Sequence, residues 1–148
     1  MGITGITPKK SLRRKVTNMS VKFDDKVAIV TGGGIGLGRE HALGLSKRGA
    51  KVVVNDLGVS QYGEGGSSTA AQSVVSEIIA MGGEALAHGA DVSDELQVKD
   101  MVQKTMDKWG RIDILINNAG ISQRCIAIDA KPEIYTELIN VDLIAPIW

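Results

Sequence analysis

The sequence predicts an α/β fold, a doubly wound parallel sheet with helices on both faces. Short apolar runs rich in Val and Ile alternate along the chain with longer segments whose apolar residues recur at helical spacing. The strand-like runs are apolar at consecutive positions, as parallel strands covered on both faces are. Strands that alternate with helices form a parallel sheet with right-handed crossovers, because a parallel neighbour can be reached only through a crossover connection.

The first predicted strand and helix enclose a glycine-rich turn. Residues 27–30 (VAIV) are predicted as a buried strand, and residues 39–48 as a helix that ends before Gly49. The turn between them reads TGGGIGLG over residues 31–38. The N–H groups at a helix N-terminus bind anions, and glycines let a phosphate approach the backbone closely. The turn therefore predicts a nucleotide phosphate site.

The rest of the chain repeats the pattern of a strand followed by a helix. Each predicted strand is short and apolar, and each predicted helix carries an apolar face at helical spacing. A glycine-rich loop over residues 57–66 separates the second strand from its helix. In order, the predicted elements are a strand at 51–55, a helix at 67–80, a strand at 84–88, a helix at 94–109 and a strand at 112–116.

A last helix is predicted to begin at Pro132, because proline suits the first turn of a helix. Pro146 lacks an N–H group and is expected to disturb this helix near its end. The sheet is expected to be truncated after the fourth strand and this helix. The apolar face of the helix is predicted to consist of Ile134, Leu138, Val141 and Ala145.

The composition limits the classes of function. Lysine and arginine together number 17, as do aspartate and glutamate, so the formal net charge of zero does not favour a nucleic-acid partner. No apolar run approaches the roughly 18 residues of a membrane-spanning helix. Cys125 is the only cysteine, which leaves no intrachain disulfide and favours a reducing, cytoplasmic location. His41 and His88 are too far apart in the sequence to predict a metal site.

The first 22 residues differ in composition from the rest. They are basic and rich in hydroxyl side chains, and no acidic residue precedes Asp24. We expect a disordered leader at 1–22 and a single folded domain at 23–148. The alternative interpretation is a mitochondrial transit peptide, which has a similar composition. Met19 is a further candidate for the natural start, since the folded pattern begins just after it.

The spacing of the turn glycines is G-x-x-x-G-x-G, at Gly32, Gly36 and Gly38. It differs from the G-x-G-x-x-G of the common dinucleotide fingerprint. Three glycines also fit a tight turn with close helix–strand packing and no ligand. The glycines alone therefore leave both interpretations open.

Asp56 follows the second predicted strand, near the roughly twenty-residue spacing expected of a carboxylate that binds a ribose. A carboxylate accepts the 2′- and 3′-hydroxyl protons of a ribose and repels a 2′-phosphate. No lysine or arginine lies within residues 31–38 or directly after Asp56. NAD is therefore favoured over NADP. The alternative is an exposed aspartate that caps the loop.

Two further polar sequences follow predicted strands. Asp91 and Val92 come after the third strand, where the adenine of a dinucleotide would lie. Alternatively, Asp91 or Ser93 caps the next helix. The NNAG sequence at 117–120 follows the fourth strand, where two amides and two small residues can line a cofactor crevice and tie neighbouring strands together.

Taken in order, these sequences resemble the short-chain dehydrogenase/reductase family over roughly residues 24–148. The resemblance implies a Rossmann-like fold and an asparagine, Asn140, that supports a proton-relay water. It also implies the residues that bind the cofactor. These are Gly32, Ile35, Gly36 and Gly38 at the pyrophosphate, Asp56 at the adenosine ribose, Asp91 and Val92 at the adenine, and Asn117 and Ala119 along the cofactor.

The resemblance implies NAD(P)-dependent hydride transfer between an alcohol and a ketone, with a homo-oligomer as a further expectation. The resemblance implies that the family's catalytic Ser and its Tyr-x-x-x-Lys lie beyond the last predicted helix, and neither Tyr62 nor Tyr135 has a lysine four residues later. We therefore expect the cofactor-binding part alone. Residues 55–58 (NDLG) and the loop after them also resemble the dehydrogenase units of peroxisomal multifunctional β-oxidation enzymes and related bacterial proteins.

Two other functions are weighed against this one. The first is a non-catalytic product, either truncated or a nucleotide-binding module without turnover. The second is a methyltransferase that uses S-adenosylmethionine, since that class also has a glycine-rich first turn and an acid after its second strand. The NNAG sequence argues against the methyltransferase, as does Thr31 where that class prefers an acid.

Overall fold

The computed structural model describes residues 21–58, 69–122 and 131–147. Three of the expectations lie wholly or partly outside these ranges: the leader up to residue 20, the glycine-rich loop from residue 59, and the start of the second helix at residues 67–68. The described residues form a parallel sheet flanked by helices, which confirms the predicted Rossmann-like α/β fold.

The sheet has four parallel strands in the order β3-β2-β1-β4. The chain starts in the middle of the sheet, builds outward to β3 and then crosses back to place β4 on the other side of β1. Ligands of such sheets bind where the order reverses, here between β1 and β4 at their carboxyl ends. The strands are β1 (Val27–Thr31), β2 (Lys51–Asn55), β3 (Ala85–His88) and β4 (Ile114–Ile116).

Helices lie on both faces of the sheet, as a doubly wound fold requires. Alternate residues of the strands point to opposite faces, so Val52 and Val54 of β2 join the core on one face and Val53 joins the core on the other. The first core includes α1 and α2, and the second includes α3. The helices are α1 (Gly36–Ser46), α2 (Thr69–Ala80), α3 (Glu95–Trp109) and α4 (Pro132–Ile139).

Several boundaries differ from the sequence prediction by one to three residues, and two of these differences have a local cause. Helix α1 begins at Gly36 rather than at residue 39, because the last glycines of the turn already form its first turn after the extended residue Ile35. Strand β4 begins at Ile114 rather than at residue 112. There the side chain of Asp113 accepts the N–H of Val27 at 2.9 Å, where a backbone carbonyl would extend the ladder.

The predicted last helix is not one regular helix. It is α-helical only to Ile139 and continues as a π-helical segment, Asn140–Ile144, and a short 3₁₀ turn, Ala145–Ile147. The Ala145 N–H bonds the Asn140 carbonyl across the wider turn. Pro146 cannot donate a helical hydrogen bond, and its ring would clash with the preceding turn. The disturbance expected of Pro146 therefore begins earlier than the sequence predicts.

The predicted apolar face of this last segment is confirmed. Its four residues are partly buried, while most of the residues between them are exposed.

Within the described ranges, no helix is long and apolar enough to cross a membrane.

Acid is expected to destabilise the fold partly through Asp113. Hydrogen bonds from the Arg111 side chain, the Val27 backbone N–H and the Lys26 ammonium group hold the pKa of this carboxyl well below its usual range. A depressed pKa contributes stability that is present above the unfolded-state pKa and is lost as the pH falls toward the folded one. Asp113→Asn is therefore expected to melt at a lower temperature than the wild type at neutral pH, and the difference is expected to shrink below about pH 4.

Thermal unfolding of both proteins at neutral and acidic pH measures this difference. Asp107→Asn is the matched control, because Asp107 lies on the exposed surface of α3, away from the sheet. A gap between wild type and Asp113→Asn that stays constant down to about pH 3 would contradict the linkage.

Candidate functional site

A crevice of about 400 Å³ lies at the carboxyl edge of the sheet, where the strand order reverses. It is bounded by the glycine-rich turn after β1, the end of β2, the segment between β3 and α3, and the segment after β4. Six of the predicted cofactor-binding residues line it: Gly32, Ile35, Asp56, Asp91, Val92 and Ala119.

The glycine-rich turn folds back tightly upon itself. A side-chain carbon on Gly38 would overlap the backbone oxygen of Gly32, so the first turn of α1 packs directly against the start of the loop. Gly36 has a φ of +54°, a conformation that favours glycine. A side-chain carbon there would meet nothing within 4 Å, so Gly36 borders open space. The turn therefore has no room for a side chain at Gly38, and it leaves the backbone at Gly36 accessible to a ligand.

Thr31 and Asn118 fasten the turn to the segment after β4. The Thr31 hydroxyl accepts the N–H groups of Asn118 and Ala119 at 3.1 and 3.0 Å and donates to the Ile116 carbonyl at 3.3 Å. The Asn118 side-chain amide in turn donates to the carbonyls of Thr31 and Gly32. The sequence predicts amides that tie neighbouring strands, and the structure assigns that role to Asn118.

The Asp56 carboxylate connects the turn to the end of β2. It is 8% exposed, and one oxygen accepts the Gly34 N–H at 2.7 Å while the other accepts the Gly58 N–H at 2.8 Å. Asp56 is therefore not the exposed aspartate of the alternative interpretation. It does cap the start of the following loop, through its bond to the Gly58 N–H. Each carboxylate oxygen has further acceptor capacity, and Asp56 lines the crevice.

Residues 90–93 form the side of the crevice across from the turn. One carboxylate oxygen of Asp91 accepts the N–H of Ser93 at 2.8 Å and its hydroxyl proton at 2.7 Å. Neither residue caps α3, because Asp94 does so by accepting the N–H groups of Leu96 and Gln97. The alternative of Asp91 or Ser93 as the helix cap is thus wrong. The Asp91 side chain instead accepts hydrogen bonds within the segment that lines the crevice.

Asn117 and Asn140 lie apart from this crevice. Asn117 lines an adjoining apolar cavity of about 220 Å³, which shares Val92, Ala119 and Val141 with the crevice. Asn140 is exposed in the π-helical segment and lines a shallow cavity along α4.

The acidic residue after Asn140 reaches the loop that follows β4. The Asp142 carboxylate accepts the Ile121 N–H at 3.0 Å. This bond fastens the π-helical segment to the far end of the NNAG sequence. Sequence analysis missed it, because nothing local to residues 140–144 predicts a partner in that loop.

Charge in the crevice is acidic. Asp56, Asp91 and Glu137 line it, and no lysine or arginine is among the described residues that do so. Arg39, at the start of α1, is engaged by Glu40 and Glu77, each at 2.6 Å. In the described part of the chain, no three His, Cys, Asp or Glu side chains cluster as metal ligands would.

A parallel sheet in this order, with a polar crevice at its reversal point, defines a Rossmann-like α/β protein. The chain belongs to the short-chain dehydrogenase family, whose model, described as short chain dehydrogenase, matches residues 26–148. Membership of this family argues against the methyltransferase alternative, and it implies use of a nicotinamide dinucleotide, NAD(P).

Individual relatives share this region. The chain is 56% identical over 103 residues to peroxisomal multifunctional enzyme A of Dictyostelium discoideum, an alignment that covers 70% of this chain and 23% of the relative. It is 44% identical over 118 residues to the 3-oxoacyl-[acyl-carrier-protein] reductase of a Synechocystis strain, covering 80% and 44%. A crystal structure of a short chain dehydrogenase from Mycobacterium avium has a TM-score of 0.74 and 45% identity, covering 84% and 44%. The chain thus spans less than half the length of these relatives.

Proposed function

We propose that the crevice binds NAD and that the chain supplies the cofactor-binding part of an oxidoreductase that interconverts an alcohol and a ketone. One observation carries the proposal: the buried Asp56 carboxylate, bonded to the turn through Gly34, faces a crevice at the reversal point of the sheet. A relative named 3-oxoacyl-[acyl-carrier-protein] reductase supports a ketone as the oxidised substrate.

The described residues fit a dinucleotide. The pyrophosphate would lie at the glycine-rich turn, where Gly36 borders open space and the start of α1 offers backbone N–H groups. The adenosine ribose would bind Asp56, and the adenine would lie along Asp91 and Val92. When bound, the dinucleotide donates or accepts a hydride; the chain's own residues bind it, orient it and exclude water from its adenosine half.

The crevice favours NAD over NADP. A 2′-phosphate would bring negative charge toward the buried carboxylate of Asp56, at a site where the described lining residues supply no cation to offset it. The nearest basic residue after the turn, Arg39, is already paired with two glutamates. A ribose diol, in contrast, donates two hydrogen bonds to a carboxylate.

The catalytic contribution of this segment is proposed to be Asn140, which would support a proton-relay water. Its place in a π-helical segment supports this role, because such wide turns occur often at functional sites. The neighbouring Val141 lines both the crevice and the adjoining cavity. Asn117 and Ala119 would contact the cofactor beyond the pyrophosphate, toward that cavity.

Calorimetric titration of the 148-residue chain with NADH tests the proposal. We expect binding with a dissociation constant between about 1 µM and 1 mM, by analogy with the KM values that enzymes commonly show. The binding is expected because the crevice, the turn and Asp56 form one continuous, hydrogen-bonded surface. S-adenosylmethionine is the competing ligand, and it should not displace NADH.

The far-ultraviolet circular dichroism and the thermal transition of the same sample establish that the chain is folded. Absence of heat up to millimolar NADH in a folded sample would refute the cofactor assignment. Displacement of NADH by S-adenosylmethionine at a similar concentration would refute the specificity of the crevice for a nicotinamide dinucleotide.

A further inference from the structure

The side chain of Asn55 makes two hydrogen bonds to one distant residue. Asn55 is the last residue of β2, directly before Asp56, and is 1% exposed. Its amide nitrogen Nδ2 donates to the Ala90 carbonyl at 3.0 Å, and its oxygen Oδ1 accepts the Ala90 N–H at 2.8 Å. A single side chain thus satisfies both backbone groups of Ala90.

The backbone of Asn55 reaches the opposite side of the crevice. Its carbonyl accepts the N–H of Gly33, in the glycine-rich turn, at 3.0 Å. The next residue, Asp56, donates its N–H to the His88 carbonyl at 3.0 Å, which completes the pairing of β2 with β3. Asn55 therefore contacts the turn through its main chain and residue 90 through its side chain.

Ala90 is the first residue of the strip that forms the side of the crevice across from the turn, here called the 90–93 strip. Ala90 is 2% exposed and packs in the core with Ile29, Val53 and Met101. The polar members of the strip, Asp91 and Ser93, follow at once along the chain. A shift of the Ala90 backbone would therefore move the Asp91 carboxylate relative to that of Asp56.

We propose that Asn55 is a positioning residue that fixes the 90–93 strip for recognition of the adenine base. The inference rests on the proposed function. A carboxylate such as Asp91 accepts a hydrogen bond from the amino group of adenine and repels a carbonyl oxygen at the same position. Discrimination of this kind requires the carboxylate to be held at a fixed place. Asn55 holds the backbone of the preceding residue, Ala90, while the Asp91 N–H itself donates to the Gln97 side chain at 3.0 Å.

Asparagine suits this position because it presents one donor and one acceptor in the same plane. Aspartate would place an oxygen against the Ala90 carbonyl, and alanine would leave that buried carbonyl without a donor. The Ala90 N–H would still have an acceptor, since His88 Nδ1 lies 3.1 Å from it. A variant of Asn55 therefore loses the bond that orients the 90–93 strip, while the Ala90 N–H keeps a hydrogen-bond acceptor.

The test compares two ligands, NADH and its reduced hypoxanthine analogue, in which an oxygen replaces the amino group of adenine. The wild type is expected to bind NADH more tightly than the analogue. Asn55→Ala is expected to weaken NADH about tenfold while weakening the analogue less, so that the ratio of the two dissociation constants moves toward one. Titration calorimetry on the 148-residue chain gives both constants.

Val52→Ala is the matched control. Val52 is fully buried in the same strand, at the end away from the crevice. Its truncation is expected to lower the melting temperature and to leave the ratio unchanged. Asn55→Ser is a second, milder variant, which provides the same comparison if Asn55→Ala does not fold.

The outcomes separate the two proposals. A folded wild type that binds neither ligand refutes the cofactor proposal. A wild type that binds both equally, a folded Asn55 variant that keeps the wild-type ratio, or a Val52→Ala ratio that shifts as much as that of Asn55→Ala overturns the positioning role alone. The failure of both Asn55 variants to fold also overturns it, because the role of Asn55 would then be in folding.

Discussion

Gly38→Ala is expected to lower the free energy of unfolding by about 3 kcal/mol or more and to abolish NADH binding. The new side-chain carbon would overlap the Gly32 carbonyl oxygen and crowd the Asn118 amide. These two neighbours are hydrogen-bonded to each other, and the Asn118 amide also donates to the Thr31 carbonyl, so neither can move aside without breaking a contact. Urea denaturation measures the stability, and titration with NADH measures the binding.

Gly44→Ala is the matched control, since it makes the same substitution within the same helix. Gly44 lies inside α1, and a side-chain carbon there would meet only the Arg48 side chain, at an ordinary contact distance of 3.5 Å. Alanine is the better helix former, so this variant is expected to gain about 0.5–1 kcal/mol. The account of the turn fails if Gly38→Ala matches the wild type in both stability and NADH affinity.

Asp56→Ala is expected to weaken NADH binding by about 10- to 100-fold and to shift the preference between NADH and NADPH toward NADPH about tenfold. The substitution removes the acceptor proposed for the ribose hydroxyls and the negative charge that would repel a 2′-phosphate. It also leaves the N–H of Gly34, at the centre of the turn, without its carboxylate partner. Dissociation constants for both dinucleotides give the ratio.

The two effects of Asp56→Ala are separable. Loosening of the turn weakens both dinucleotides alike, whereas loss of the ribose contact changes their ratio. Asp107→Ala removes an exposed carboxylate on α3 and should change neither constant. If Asp56→Ala leaves the ratio of the NADH and NADPH dissociation constants unchanged, the proposed contact between Asp56 and the ribose is refuted, even if both constants rise.

Much of the fold can be predicted because local and tertiary requirements coincide. Strand β2 matches its prediction at both ends, since a short run of β-branched apolar residues suits a strand that is covered on both faces. Helix α2 buries Ala71, Val74, Val75 and Ile78 at helical spacing, and no other pattern competes with it. Both elements are predicted from local patterns of apolar residues, which the sequence displays directly.

The crevice could be predicted only in part, because its tightest bonds join residues far apart in the chain. The sequence shows two adjacent asparagines after β4, but it does not show which of them faces the glycine-rich turn. The register of β4 against β1 places the side chain of Asn118 there. Asn55 looks like the last residue of a strand, and its partner Ala90 lies 35 residues away. The π-helical segment likewise has no periodic signature of its own.

The contact between Thr31 and Asn118 has a consequence for the order of folding. It spans 87 residues of chain, and β1 cannot obtain its second neighbour until β4 is available. Closing so long a loop costs entropy that only later contacts repay. At common rates of synthesis the glycine-rich turn therefore waits on the order of ten seconds for its partner.

A ligand that binds only the closed crevice stabilises the state in which this long-range contact exists, and earlier states gain nothing from it. We therefore expect NAD to slow the opening of the β1–β4 pair rather than to guide the chain toward it. The cofactor would act after folding, by stabilising this long-range contact between the glycine-rich turn and the segment after β4.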